Sequence, residues 1–167
     1  MTYQTLGRCL RRLTAAMLGA ALVGLPAVAQ TANFAGVTLA RGEAAEPSRL
    51  AGFTAGSYRL SNLSARDRGG NLCLGYADTT PDHILVLEQD FPNLTIAVDS
   101  GGNDTTLLVQ GPDSVVRCND NASRRDRDAR ISDADWPAGI YQIWVGTFDA
   151  GARYDYRLSV GEPSPPQ

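Results

Sequence analysis

The sequence predicts an all-β protein, a single domain folded as an antiparallel, jelly-roll-like β-sandwich. Three observations carry that expectation. Short runs alternate apolar and polar residues; Gly, Pro, Asn and Asp punctuate them at short intervals; and helical periodicity is almost absent.

Residues 1–29 stand apart from the fold. Arg8, Arg11 and Arg12 precede an apolar run from Leu13 to Leu25, and Ala27-Val28-Ala29 follows it. A basic stretch, an apolar core and an A-x-A site in that order make a cleaved secretory signal. The run is shorter than the roughly 20 residues that a membrane helix needs. The mature chain is therefore expected to be exported, to the periplasm or the medium, with no membrane span.

Residues 30–70 are expected to add N-terminal strands, at Phe34 to Leu39 and Ser57 to Leu60, and a long wrapping loop, RGEAAEPSRLAGFTAG, packed on the same domain. Residues 71–160 supply the sandwich. NLTIAVDS sets Leu94, Ile96 and Val98 opposite Thr95, Ala97 and Asp99, and YDYRLSV sets Tyr154, Tyr156, Leu158 and Val160 opposite Asp155, Arg157 and Ser159. Both read as half-buried strands. HILVLEQ, TTLLVQ, SVVRC and IYQIWVGTF are apolar throughout, as strands near a sheet centre are. The stretch from Asn119 to Asp128 reads as a loop, and residues 161–167, GEPSPPQ, as a disordered Pro-rich tail.

Without the three signal arginines the chain keeps 12 arginines, no lysine and 18 acids. That acidic balance argues against a nucleic-acid partner, which needs a basic face. Two cysteines remain, Cys73 and Cys118. An even pair in an oxidising compartment is expected to be joined, with two buried free thiols as the plain alternative.

The stretch DSGG, Asp99 to Gly102, matches the surroundings of a trypsin-like serine nucleophile. Such an enzyme needs two barrels and a widely separated histidine, aspartate and serine. Here His83 precedes Ser100 by 17 residues, and a Gly-Gly turn at a strand end accounts for the letters. No GxSxG, HExxH or phosphate-cradling glycine loop is present.

Oxygen-bearing side chains gather instead around one expected hairpin. Asp104 opens TTLLVQ; SVVRC ends at Asn119-Asp120-Asn121; Asp126 and Asp128 close the next loop. A hairpin across Gly111-Pro112-Asp113 brings Asp104 toward Asp120. Asp104, Asn119, Asp120 and Asp128 are then candidate calcium ligands, since calcium takes six to eight oxygens in flexible geometry. The plain alternative is a pair of solvated turns, with the arginines at 124, 125, 127 and 130 neutralising the acids. Trp136 and Trp144 are a candidate aromatic platform for a sugar or peptide, against the ordinary reading of core tryptophans.

Taken in order, NDTTLLVQGPDSVVRCNDN, DARI, WPAGIYQIWVG and YDYRLSV resemble the bacterial pre-peptidase C-terminal domain, a β-sandwich module that follows the catalytic domain of many secreted peptidases. The resemblance covers roughly Asp82 to Val160. It implies a jelly-roll-like sandwich, a non-catalytic role in secretion, stability or substrate binding, and in some members calcium at the acidic loops. The matching positions are Asp104, Asn119, Asp120 and Asp128; Asn121 stands where the family carries a second acid. The expectation is an exported, non-catalytic binding or accessory module, with calcium as the candidate cofactor and a protein, peptide or carbohydrate as partner. The alternative is a small hydrolase using His83 and Ser100.

Overall fold

The structure is a computed structural model that describes residues 31–40 and 47–163. The signal segment and the last four residues of the tail lie outside the described residues. In chain order the strands are β1 (Val37–Leu39), β2 (Ser48–Phe53), β3 (Tyr58–Arg59), β4 (Tyr76–Ala77), β5 (His83–Leu87), β6 (Phe91–Asp99), β7 (Thr105–Gln110), β8 (Val116–Asn119), β9 (Arg130–Trp136), β10 (Gly139–Thr147) and β11 (Asp155–Gly161). They form two sheets packed face to face.

In the first sheet β10 is central. One of its edges pairs with β5 and then, at Thr147, with β4; the other pairs with β7, which carries β8 beyond it. Strand β1 lies parallel to β5 at one edge, and β3 pairs with β4. The second sheet runs β2-β11-β6-β9, antiparallel throughout. From β5 onward the chain changes sheet at every connection except the β7–β8 hairpin, as a jelly-roll-like path does. That hairpin pairs Leu107 with Asn119 and Gln110 with Val116, the fold-back expected from the Gly111-Pro112-Asp113 turn.

The alternation of each strand builds the core. Leu107, Val109, Ile143 and Val145 from the first sheet meet Leu94, Ile96, Val98, Leu158 and Val160 from the second, with Phe91, Trp136, Tyr141 and Tyr156 filling the layer between them. Each fully buried side chain of this kind stabilises the fold by about 1.5–3 kcal/mol.

The outer face of the first sheet carries a second, smaller core. Leu108, Val116, Cys118 and Trp144 point outward and are covered by Leu60, Leu63 and Cys73, with Ala77 of β4 in the same cluster. The covering segment is joined to β8 by the Cys73–Cys118 disulfide, with a Cα–Cα distance of 5.4 Å. Gly75 lets this segment lie close: its φ is +92°, and a Cβ there would fall 2.5 Å from Thr106 and 2.7 Å from the Thr147 carbonyl oxygen.

Four expectations are corrected. The wrapping loop contains a strand: β2 pairs with β11 along all six residues, and the covering role belongs to residues 60–75. Strand β9, Arg130–Trp136, occupies a stretch to which the sequence assigns no strand. Its middle, Ser132 to Asp135, is polar because β9 is an edge strand, with Ile131 and Trp136 as its buried residues. Trp136 and Trp144 offer no platform, being 0 % and 3 % exposed, since one lies between the sheets and the other under the covering segment. The expected tail begins later than Gly161, which is the last residue of β11.

Candidate functional site

The loops that follow β6 and β8 meet at one end of the sandwich, and Asp128 ties them together. Its Oδ1 accepts from the Ser100 N–H at 3.0 Å and from the Ser100 hydroxyl, while Oδ2 accepts from the Gly102 N–H at 3.1 Å. The Ser100 oxygen in turn accepts from the Asn103 N–H at 3.1 Å, and the Asn103 amide donates to the Ser100 carbonyl at 2.6 Å. Gly101 and Gly102 both have positive φ, +78° and +88°, which L side chains adopt at a cost. The letters DSGG thus record a turn built for the backbone.

His83 does not serve Ser100. The ring is 0 % exposed. Nδ1 lies 2.7 Å from the Ala35 carbonyl oxygen, which only accepts, so Nδ1 carries the proton. Nε2 then accepts from the Tyr156 hydroxyl at 2.9 Å. Burial holds His83 below its ordinary pKa, and burial also raises the Tyr156 hydroxyl. A nucleophile–base pair needs a free ring nitrogen within hydrogen-bond reach of the hydroxyl; here both nitrogens are committed elsewhere.

Next to His83, Asp82 is a buried carboxylate that sequence reasoning passes over. Its Oδ2 accepts from the Val145 N–H at 2.7 Å and Oδ1 from the Asn33 amide at 3.3 Å. Burial nevertheless pushes it up to about 6. The signal in the sequence is slight: an acid between proline and histidine at the mouth of an apolar strand.

The candidate calcium ligands are brought to the same end of the fold, and three of the four are already engaged. Asn119 Oδ1 accepts from the Asn121 N–H at 2.9 Å and the Arg130 N–H at 3.2 Å. Asp104 pairs with Arg127 at 3.5 Å. Asp128 holds the Ser100 turn, and Asp120 is half-buried beside Asn119. Among the described residues no three His, Cys, Asp or Glu side chains gather as a metal set. At Asn119 and Asp128, donor N–H and O–H groups occupy the oxygens that a cation needs, so these two residues do not fit calcium.

What this end presents outward is a narrow basic tip. Ser123 and Asp126 form a bridge through two backbone bonds, 3.1 and 3.2 Å, and Ala122 donates to the Asp128 carbonyl at 2.8 Å. Arg124 and Arg125 form the turn between them and are exposed. The Ser123 hydroxyl accepts from the Arg125 N–H at 3.2 Å, and Asp126 Oδ1 accepts from the Asp128 N–H at 3.2 Å. The base of the loop is tied to β7, where Thr105 donates to the Arg127 carbonyl and its hydroxyl accepts from Ala129.

No helix among the described residues is long and apolar enough to cross a membrane. No family model matches the sequence, and no curated protein matches it. Among solved structures the chain is similar to PliG of Aeromonas hydrophila, a periplasmic lysozyme inhibitor of g-type lysozyme, at 16% identity and a TM-score of 0.44, covering 80% of this chain and 100% of that one. It is also similar to the pre-peptidase C-terminal domain of a collagenase from Bacillus anthracis, at 14% identity and a TM-score of 0.47, covering 81% of this chain and 99% of that one.

Proposed function

We propose that the chain is an exported, non-catalytic β-sandwich module of the pre-peptidase C-terminal type, and that it binds a partner protein through the loop end held by Asp128. The observation that carries this reading is the engagement of Ser100. Its hydroxyl and N–H both donate to Asp128, while both nitrogens of His83 are taken by Ala35 and Tyr156. The residues of the hydrolase alternative thus hold backbone in place, and the product of that order is a rigid pair of loops. Rigid presentation lowers the ordering cost of binding. The module type is supported by the sequence motifs, which fall on β7 to β11 in the family's order. Export is supported by the disulfide between Cys73 and Cys118.

The test has two arms. A serine-directed fluorophosphonate is expected to leave Ser100 unlabelled. A photoreactive residue in place of Asn121, expressed in the producing cell, is expected to give one discrete protein adduct that is lost in Asp128→Ala. Labelling of Ser100, or adducts indifferent to Asp128→Ala, overturns the reading.

A further inference from the structure

We infer that Arg124 and Arg125 are the anchor of this surface and enter an acidic cleft on the partner protein. This rests on the reading of the loop end as the binding surface and names the chemistry that it selects. Three observations lead to it.

The first is that the two arginines lack acidic partners. Among the described residues the ion pairs use Arg68, Arg117 and Arg127, and the acids nearest the tip have other partners: Asp128 is buried and accepts from Ser100 and Gly102, the exposed Asp126 accepts from the Asp128 N–H, and Asp104 pairs with Arg127.

The second is that the tip is built. Two bonds between Ser123 and Asp126 close it, the Ser123 hydroxyl fixes Arg125 N–H, and Asp128 secures its base against the Ser100 turn. The guanidinium stems thus leave from a fixed backbone. Two forked, permanently charged donors presented this way match carboxylates bidentately.

The third is contrast with the rest of the molecule. Between residues 119 and 130 there are four arginines and three aspartates, whereas residues 30–118 and 131–167 hold eight arginines against fifteen acids. A long polyanion lying across the domain meets that acidic body and is repelled. An acidic cleft that takes in only the tip meets the cations and avoids the rest. The charge pattern therefore selects a protein cleft over a nucleic acid or a polysaccharide.

The experiment uses the mature chain and two probes, a fluorescent octaglutamate peptide and a heparin oligosaccharide, followed by anisotropy. Octaglutamate is expected to bind with a steep salt dependence, to weaken at least about tenfold in the double variant Arg124→Glu/Arg125→Glu, and to weaken less in Arg124→Lys/Arg125→Lys, which keeps charge but loses the fork. Arg49→Glu/Arg157→Glu, the same charge change on the outer face of the second sheet, is expected to leave binding within about twofold. Equal losses in the two charge reversals would reduce the effect to net charge, and tighter capture of heparin through the tip would assign the wrong ligand class; either result overturns the inference, as does no binding of octaglutamate. If the photocrosslinked adduct survives Arg124→Glu/Arg125→Glu but not Asp128→Ala, the anchor is wrong and the partner-binding surface stands.

Discussion

The Arg117 guanidinium lies 4.0 Å from the centre of the Trp136 ring, while its Nε donates to Asp133 Oδ2 at 2.7 Å. The residue is 3 % exposed and also donates to the carbonyls of Ala134 and Asp135, at 3.2 and 2.7 Å. It projects from β8, the outer strand of the first sheet, and satisfies oxygens on β9, the outer strand of the second. One side chain thus closes the seam of the sandwich and blunts an open strand edge.

Replacing Arg117 by methionine is expected to destabilise the fold by about 3 kcal/mol, because the ring contact and the charged hydrogen bonds go together. Asp133, itself 36% exposed on its side chain, is left beside water, which keeps the loss below that of a fully buried pair. Lysine is expected to recover less than half, since it cannot serve Asp133 and two carbonyls at once. Urea unfolding followed by Trp136 fluorescence measures both. A lysine variant as stable as the parent would show that charge alone matters.

The disulfide closes a loop of 45 residues, and the double variant Cys73→Ser/Cys118→Ser is expected to lose about 4 kcal/mol on the chain-entropy account. The smaller core over Trp144 depends on that closure, because Leu60 and Leu63 are held over the sheet by the same segment. Reduction should therefore red-shift and quench part of the tryptophan emission before global unfolding. A coincident loss of all signals would show that the cover and the sandwich unfold as one unit.

Strands β6, β7, β10 and β11 are legible in the sequence because their side chains face a core on at least one side, and a period of two is written directly in their letters. Strand β9 is not: as an edge strand it needs few apolar residues, and SDAD looks like a loop. Arg117 is hidden for a related reason, since a cation inside an apolar run signals an exposed position unless the facing Asp133 and Trp136 are known. The site fares likewise. Asp128 stands out as an acid, but whether its oxygens meet a cation or the N–H groups of a turn depends on the Ser100 loop 28 residues earlier.

Asp82 gives the protein an unusual pH response. Its pKa is about 6 in the folded chain against 3.8 in its ordinary state, so the folded protein holds that proton more tightly. Its contribution is fully present below about 3.8 and is lost as pH rises through 6, by about 3 kcal/mol for a two-unit difference. His83, whose pKa is lowered, acts oppositely: its contribution is present above its ordinary value of 6.5 and falls away as pH drops. Comparing wild type with Asp82→Asn separates the two. The variant is expected to gain stability relative to wild type between pH 4 and pH 7, read as a difference in melting temperature that grows with pH. A constant difference would mean that Asp82 is ionised in the fold throughout.

Metal dependence follows from Asp128. The residue is 8 % exposed and accepts from Ser100 N–H, Ser100 hydroxyl and Gly102 N–H. A calcium ion drawn to those oxygens must displace all three donors and leave two backbone N–H groups without acceptors. Chelation followed by millimolar calcium is therefore expected to move the melting temperature by less than about 1 °C, where a site filled at a hundredfold over Kd would add about 2.7 kcal/mol, several degrees in a domain of this size. Asp128→Ala, in contrast, is expected to cost about 2–3 kcal/mol, since hydrogen bonds to a charged acceptor are lost together. Asp128→Asn should fall between, because one amide oxygen survives while the amide nitrogen faces a donor. A calcium-dependent rise of several degrees in wild type that vanishes in Asp128→Ala would show that the carboxylate prefers the ion to the turn, and the loops would then be ordered by metal.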